Sequence, residues 1–300
     1  MKSETKKPLL TVIVPVTRMA GKLSQLTSWM LKTLNFSIQV IIVHDVADLI
    51  TGVELKEIIS KNKFPNVIFI EGRYGSPGLA RNAGIDVAAG EWCVFWDSDD
   101  NPLVENVMSA LMETSSDDEI VVGKFSVRNH RDGSLREDRN EFLSLNSIAM
   151  NPGVWRMIFR STIIHETRFT NLLSGEDQVF LSQIDFVEKN LKFYSSIFYE
   201  YSIEQDSQLT NSIQSLRDLP NASKLIHKKA MHNKGDMLFF DLILIIRQQI
   251  TLLKRGSFRL KLQALSFFLV YTKNFKVFML VPTFKAIYFV ITNLRKSRIR

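Results

Sequence analysis

Along the first hundred positions, short continuous apolar runs alternate with apolar residues at helical spacing. Residues 9–16 and 39–43 (QVIIV) are short, largely apolar runs rich in β-branched residues, the pattern of strands covered on both faces. Between them Leu23, Leu26, Met30 and Leu34, with Trp29 adjacent, recur with the helical period. Residues 55–59 read as part of a second helix, NVIFIEG (66–72) as a third strand, 79–87 as a third helix and EWCVFW (91–96) as a fourth strand. This alternation predicts an α/β fold with a parallel or mixed sheet and helices on both faces. Beyond residue 117 the pattern is mixed. EIVVGKFSV is a strand, RNHRDGSLRED a loop or hairpin turn, and GVWRMIFRSTII an apolar segment leading to a helix; SGEDQ opens another helix and KFYSSIFYEYS is a strand.

In open sheets of this kind ligands bind outside the carboxyl ends of the strands. The residues that follow each strand therefore carry the candidate chemistry: Thr17 and Arg18, then His44 and Asp45, then 72–75, then Asp97–Asp100. The fourth group is unusual, because five apolar or aromatic residues run straight into three carboxylates within four positions. In an extended segment Asp97 and Asp99 point the same way while Asp100 bends off. Two such acids suit a hard divalent cation, Mg2+ or Mn2+, with phosphate completing the shell. An acidic loop that caps the next helix explains the same tetrapeptide. Upstream, GSPGLARNAG (75–84) places three glycines and a proline around a helix start. Backbone N–H groups there can approach an anion, and Arg81 adds a fixed cation. It is neither a Walker loop nor a dinucleotide fingerprint. Its position thirteen residues before the acids points to diphosphate handling.

The combination resembles the inverting nucleotide-sugar transferases of glycosyltransferase family 2, of the type that builds bacterial surface polysaccharides. The matching stretches are TVIVPV (11–16), VIIVHD (40–45), ARNAG (80–84) and AAGEWCVFWDSDD (88–100), and more loosely VWRMIFRSTII, TRF and SGEDQVFL, over residues 9–210. The resemblance implies a GT-A fold: a Rossmann-like, mixed, mainly parallel sheet with helices on both faces. On matching positions it implies that Pro15 ends the first strand at the nucleotide site and that Asp45 binds the base. Arg81 contacts the nucleotide or diphosphate, Asp97 lies against the ribose or a metal-bound water, and Asp99 ligates Mn2+ or Mg2+. Asp177, after Glu176, would be the general base; Glu176, Trp155 and Arg160 belong to the acceptor side. Two departures stand out: His44-Asp45 replaces the usual acid pair, and Glu204, in YSIEQDS, stands where the family often has a histidine.

Charge alters the picture at the other end. The chain has 300 residues and a net charge of +7, yet residues 242–300 carry twelve Lys/Arg and no acid, so the remainder is net acidic. Such asymmetry suggests an anionic partner. Residues 238–300 are also rich in aromatic and aliphatic side chains, broken by cations too often for a membrane span. They suit helices lying on an anionic membrane surface; a helical subdomain packed on the catalytic part or on a second copy in a homo-oligomer is the alternative. Nucleic acid is disfavoured, because the aromatics sit in strongly apolar runs. Lysines before a short apolar run at the N-terminus mimic a signal peptide, but Pro15 and the missing cleavage motif favour a buried strand. A single cysteine, Cys93, excludes an internal disulfide and fits a reducing compartment.

The sequence thus predicts a catalytic domain over 1–212, with a nucleotide-sugar half to about 102 and an acceptor half over 103–212. A helical, basic and apolar appendage follows over 213–300. The expected activity is transfer of a hexosyl or N-acetylhexosaminyl group from a UDP-type donor to a lipid-linked or cell-surface glycan, at the inner face of the cell membrane. A sugar-nucleotide-binding or assembly protein without turnover is the alternative.

Overall fold

The computed structural model describes residues 7–137, 143–203, 215–274 and 280–296; Glu204 lies outside them. The described residues form two compact units. The first takes 7–143, 153–171 and 189–208, and the second 144–152, 172–188 and 209–300. The sequence reading drew a single boundary near 212, whereas the second unit also draws on two segments inside the earlier part.

The first unit holds one nine-stranded sheet: β1 (Leu10–Val16), β2 (Ile38–Asp45), β3 (Val67–Gly72), β4 (Trp92–Phe95), β5 (Asn101–Pro102), β6 (Ile120–Asn129), β7 (Leu135–Glu137), β8 (Met157–Arg160) and β9 (Leu191–Ile203). The order is β3-β2-β1-β4-β8-β6-β9-β5, with β7 paired to β6 as a hairpin. β1 to β4 are mutually parallel, β8 is antiparallel to both neighbours, and β6 and β9 are parallel again. The sheet is mixed and mainly parallel, as the alternation predicts. Because the first four strands share a direction, their carboxyl ends form one rim.

The apolar runs explain themselves in burial. On one face Leu10, Val12, Val14, Val40, Ile42, Val94 and Trp96 pack against α1 (Ser24–Thr33) and α4 (Val104–Met112), with Trp29 edge-on to Trp96 at 5.2 Å. The opposite face receives α3 (Pro77–Ile85), which approaches so closely that a Cβ on Gly84 would stand 2.4 Å from Ile13 Cγ2. Between β2 and β3 runs α2 (Leu49–Asn62), capped by Asp48 and closed by Lys63 in the left-handed region. It starts well before the predicted 55–59, because its exposed Leu49, Ile50 and Val53 break the expected amphipathic period. A short α6 (Ser161–Glu166) follows β8.

The second unit comprises α5 (Leu145–Met150), α7 (Glu176–Gln183), α8 (Leu219–Ala230), α9 (Gly235–Arg255), α10 (Phe258–Asn274) and α11 (Leu280–Lys296). α9 is its axis, and α5, α7, α8, α10 and α11 all pack on it. Most of α9 is buried from Met237 to Leu252, so the apolar stretch 237–253 is the core of a helical unit. No helix among the described residues is long and apolar enough to cross a membrane. Polar side chains join the helices: Gln249 Nε2 donates to Ser223 Oγ (2.7 Å), Ser223 Oγ to Gln248 Oε1 (2.5 Å), and Gln248 Nε2 to Gln178 Oε1 on α7 (3.0 Å).

Gly90 permits the β1–β4 approach. Its N–H donates to Thr11 Oγ1 (2.8 Å), and a Cβ there would stand 2.5 Å from the Thr11 backbone nitrogen. Backbone cannot yield as a side chain can, so Gly90→Ala is expected to cost about 1–3 kcal/mol in a urea melt.

Asp241 is fully buried on α9, with Asn233 donating to Oδ2 at 2.8 Å, and burial pushes its pKa up to about 7. A carboxyl with a folded pKa above its unfolded value stabilises fully only while protonated in both states. Its penalty grows as pH rises from about 4 to about 7, at up to about 1.4 kcal/mol per pH unit. Melts of Asp241→Asn should therefore gain on wild type across that window and run parallel to it above.

Candidate active site

Each rim residue is placed by the strand that precedes it. Asp45 ends β2, and its oxygens accept backbone N–H bonds from Ala47 (3.0 Å), Gly75 (2.8 Å) and Tyr74 (3.2 Å). Burial works to raise its pKa, but these three donors outweigh it and hold Asp45 below the usual carboxylate range. The carboxylate thereby ties the end of β2 to the glycine-containing loop after β3. Gly75 takes φ +69, a conformation in which a side chain would be strained. Ser76 then caps α3, accepting from Leu79 N–H, and Pro77 occupies the first turn. On β1, Pro15 pairs in register with Val43, one residue short of the rim.

His44 explains its own departure from the acid pair. It is buried, stacked on Phe69, and donates from Nε2 to the Asp48 carbonyl at 2.8 Å. A Cβ on Gly52 would lie 2.5 Å from its ring. His44 belongs to the seat of α2, and Asp45 is the carboxylate that faces the rim. Asp48 caps α2 and also accepts from Arg18 N–H, which fastens the loop after β1.

The three aspartates after β4 are treated in three ways. Asp97 Oδ1 accepts from Arg81 Nη2 at 2.7 Å, with the buried guanidinium lying over Phe169. Asp100 turns inward and is almost wholly buried: Tyr199 donates its hydroxyl to Oδ2 (2.8 Å), and Ser202 N–H donates to Oδ1 (2.7 Å). The same Tyr199 hydroxyl accepts from Asp97 N–H (3.0 Å). Burial, then the charges of Asp99 and Asp97, push Asp100 well above the carboxylate range. Asp99 is half-buried, and burial together with the Asp97 charge pushes its pKa up to about 6.

That donor set fits a divalent cation. Asp99 and the outer part of Asp97 are hard oxygen donors, and a carboxylate whose charge is disfavoured by burial and a neighbouring anion gains from a cation. Among the described residues no three His, Cys, Asp or Glu side chains form a metal cluster. The remaining coordination positions would fall to phosphate and water.

Glu176 and Asp177 open α7 in the second unit, after Gly175 at φ +83. A Cβ on Gly175 would meet Ala222 at 2.9 Å, so α7 is seated tightly on α8. Glu176 is buried, whereas Asp177 is half-exposed and accepts Gln178 N–H at 2.8 Å. On the expected acceptor side, Trp155 is half-buried and stacks on Tyr199 (4.6 Å) and Tyr201 (5.6 Å). Arg160 lies over Trp92, donates to the Asp118 carbonyl and pairs with Glu91. Both have packing partners that account for them.

Residues 11–174 match the family model described as "Glycosyl transferase family 2". The chain belongs to this family. Its GT-A fold agrees: S. aureus TarS in complex with UDP-GlcNAc superposes at TM-score 0.65 with 16% identity, over 92% of this chain and 79% of that one. The mannosyltransferase PcManGT from Pyrobaculum calidifontis, in complex with GDP-Man and Mn2+, superposes at 0.55 with 13% identity, over 97% and 88%. Among curated proteins the glycosyltransferase GlyA of Streptococcus pneumoniae is 22% identical over 66% of this chain and 31% of its own length. The poly(ribitol-phosphate) beta-glucosyltransferase of Bacillus spizizenii is 29% identical over 49% and 25%. The chain thus spans about a quarter to a third of the length of these curated relatives.

Tyr199 is the residue the sequence reading missed. Only the fold brings it across a hundred positions to the acidic loop, and nothing local marks it. Tyr199→Phe removes one bond to Asp97 N–H and one to buried Asp100. A loss of about 1–3 kcal/mol is expected in urea melts, with weaker Mn2+-dependent donor binding; an unchanged midpoint would remove Tyr199 from this role.

Proposed function

We propose that the chain transfers a hexosyl or N-acetylhexosaminyl group from a UDP-sugar to a hydroxyl of a lipid-linked or cell-surface glycan, with inversion. The observation that carries this reading is the Arg81–Asp97 pair beside half-buried Asp99, at the rim of four parallel strands and next to the Gly75–Pro77 helix start. Relatives support the donor and acceptor classes, one structure holding UDP-GlcNAc and one curated relative acting on poly(ribitol-phosphate).

In this reading Asp45 orders the loop that receives the nucleotide, and Pro15 ends the strand beside it. Arg81, fixed by Asp97, presents positive charge to the diphosphate. Asp99 and Asp97 hold Mn2+ or Mg2+, which when bound offsets the charge gained by the leaving diphosphate as a Lewis acid. Asp177 takes the proton from the acceptor hydroxyl as its oxygen bonds the anomeric carbon, and the bond to the diphosphate oxygen breaks. A single displacement of this kind inverts the anomeric centre. Glu176 and Trp155 shape the acceptor side. The chain works at the inner face of the membrane, with its basic C-terminal region against anionic lipid.

Release of UDP from UDP-glucose or UDP-GlcNAc with Mn2+ tests this directly. Asp177→Asn is expected to lower kcat by about a hundredfold to ten-thousandfold while the Mn2+-dependent thermal shift by UDP-sugar persists. Asp99→Asn is expected to lose that shift as well. Donor binding without turnover on any acceptor would place the chain with the non-catalytic alternative.

A further inference from the structure

The burial of α9 leaves α10 and α11 as the unexplained part of the tail. α10 turns Leu260, Ala264 and Phe267 inward, and α11 turns Ala286 and Val290 inward. Their outward faces ought to be polar in a helix that meets only water. Each instead carries an apolar stripe beside exposed polar residues such as Arg259, Gln263 and Lys285. On α10 Phe258 (78% exposed), Leu262 and Leu265 recur at i, i+4 and i+7; on α11 Val281, Phe284 (69%), Tyr288 (73%) and Ile291 recur at i, i+3, i+7 and i+10. Each set is one helical stripe. Isolated exposed apolar residues need no explanation, but two ordered stripes on adjacent helices do.

Charge decides what can cover them. Lys254, Arg259 and Lys285 are exposed on and beside these helices, and no acid occurs anywhere in residues 242–300. A second copy meeting this face with its own would bring like charges together without a compensating carboxylate. An anionic lipid surface supplies both partners: an apolar layer for the stripes and phosphate for the cations. We infer that α10 and α11 lie in the headgroup region of an anionic membrane through the Phe258–Leu262–Leu265 and Val281–Phe284–Tyr288–Ile291 stripes. α9, buried within its own unit, takes no part. This deepens the membrane placement proposed above and rests on it.

Flotation of the full chain with phosphatidylcholine vesicles, with and without phosphatidylglycerol, tests the inference. The chain is expected to float with the anionic vesicles, less so as salt rises. The combined Phe258→Ser, Phe284→Ser and Tyr288→Ser variant is expected to lose at least about tenfold in partition, with thermal melting and UDP release in solution unchanged. The combined Lys254→Glu, Arg259→Glu and Lys285→Glu variant is an independent check that leaves the apolar stripes intact, and it should lose binding to anionic vesicles. Failure of the wild-type chain to float overturns the membrane placement itself. Flotation of both variants at the wild-type level overturns the assignment to this face while leaving membrane placement standing. Conversion of a dimer to a monomer by the serine variant, seen by light scattering without vesicles, would make a second copy the occupant and overturn the proposal.

Discussion

Three carboxylates in four residues repel one another, and the rim can exist only because the fold relieves each of them separately. Asp97 is held by a buried arginine, and Asp100 is turned into the interior against Tyr199 and Ser202. Asp99 and Asp100 both have their charge disfavoured by burial and by Asp97, and of the two Asp99 is the less buried. Unequal environments of this kind separate the roles of neighbouring acids. One becomes an anchor, one an orienting partner for Arg81, and one a group that gains from a cation. The inward turn of Asp100 adds two side-chain bonds to the loop's attachment to β9, beside the Asp97 N–H bond to Tyr199 and the pairing of β5 with β9. Without Arg81 the loop would lose the buried cation that offsets the charge of Asp97.

Much of this was legible along the chain. Three of the four parallel strands were visible because strands covered on both faces are apolar, and the burial of β1, β2 and β4 bears that out, whereas β3 is an edge strand with no fully buried residue. The acids were visible because they follow a strand end, but the segment that was expected to be extended is a turn over residues 98–100, so Asp100 diverges through that turn and not through strand alternation. Arg81 was legible as a cation near the acids, although its pairing with Asp97 was not. Other features are invisible locally. Tyr199 reaches the loop through the pairing of β9 with β5, which sets it opposite Pro102 just after the acids. His44 looked like an altered ligand, yet its ring is closed in by Phe69 and Gly52, residues on two other elements. Trp155 and Arg160 were expected on the acceptor side, and what the chain does not show locally is that Trp155 stacks on Tyr199 and Tyr201 and that Arg160 lies over Trp92.

Hydropathy had a comparable blind spot in the tail. Residues 237–253 and 262–294 are similarly rich in aliphatic and aromatic side chains, and a composition argument treats them alike. Their environments differ because α9 is enclosed by five neighbouring helices while α10 and α11 pack on it from one side. A helix with all-round neighbours needs apolar residues everywhere except where it makes polar ties, and the Ser223–Gln248–Gln178 chain and Asp241 with Asn233 are those ties. Such ties also fix register, since a slip of one residue along α9 would bury each amide without its partner.

The second unit therefore has two distinct physical tasks. Through Gln178 and Gly175 it holds the first turn of α7, and with it Asp177, against α8 and α9. Its remaining outward surface on α10 and α11 carries apolar stripes, with exposed cations and no acids. A helix kept merely for stability would give up exposed phenylalanine and tyrosine at little energetic cost, because exposed side chains contribute little burial. Their register on α10 and α11 is the pattern that the proposed lipid surface would bury, and such a surface would also accept positive charge.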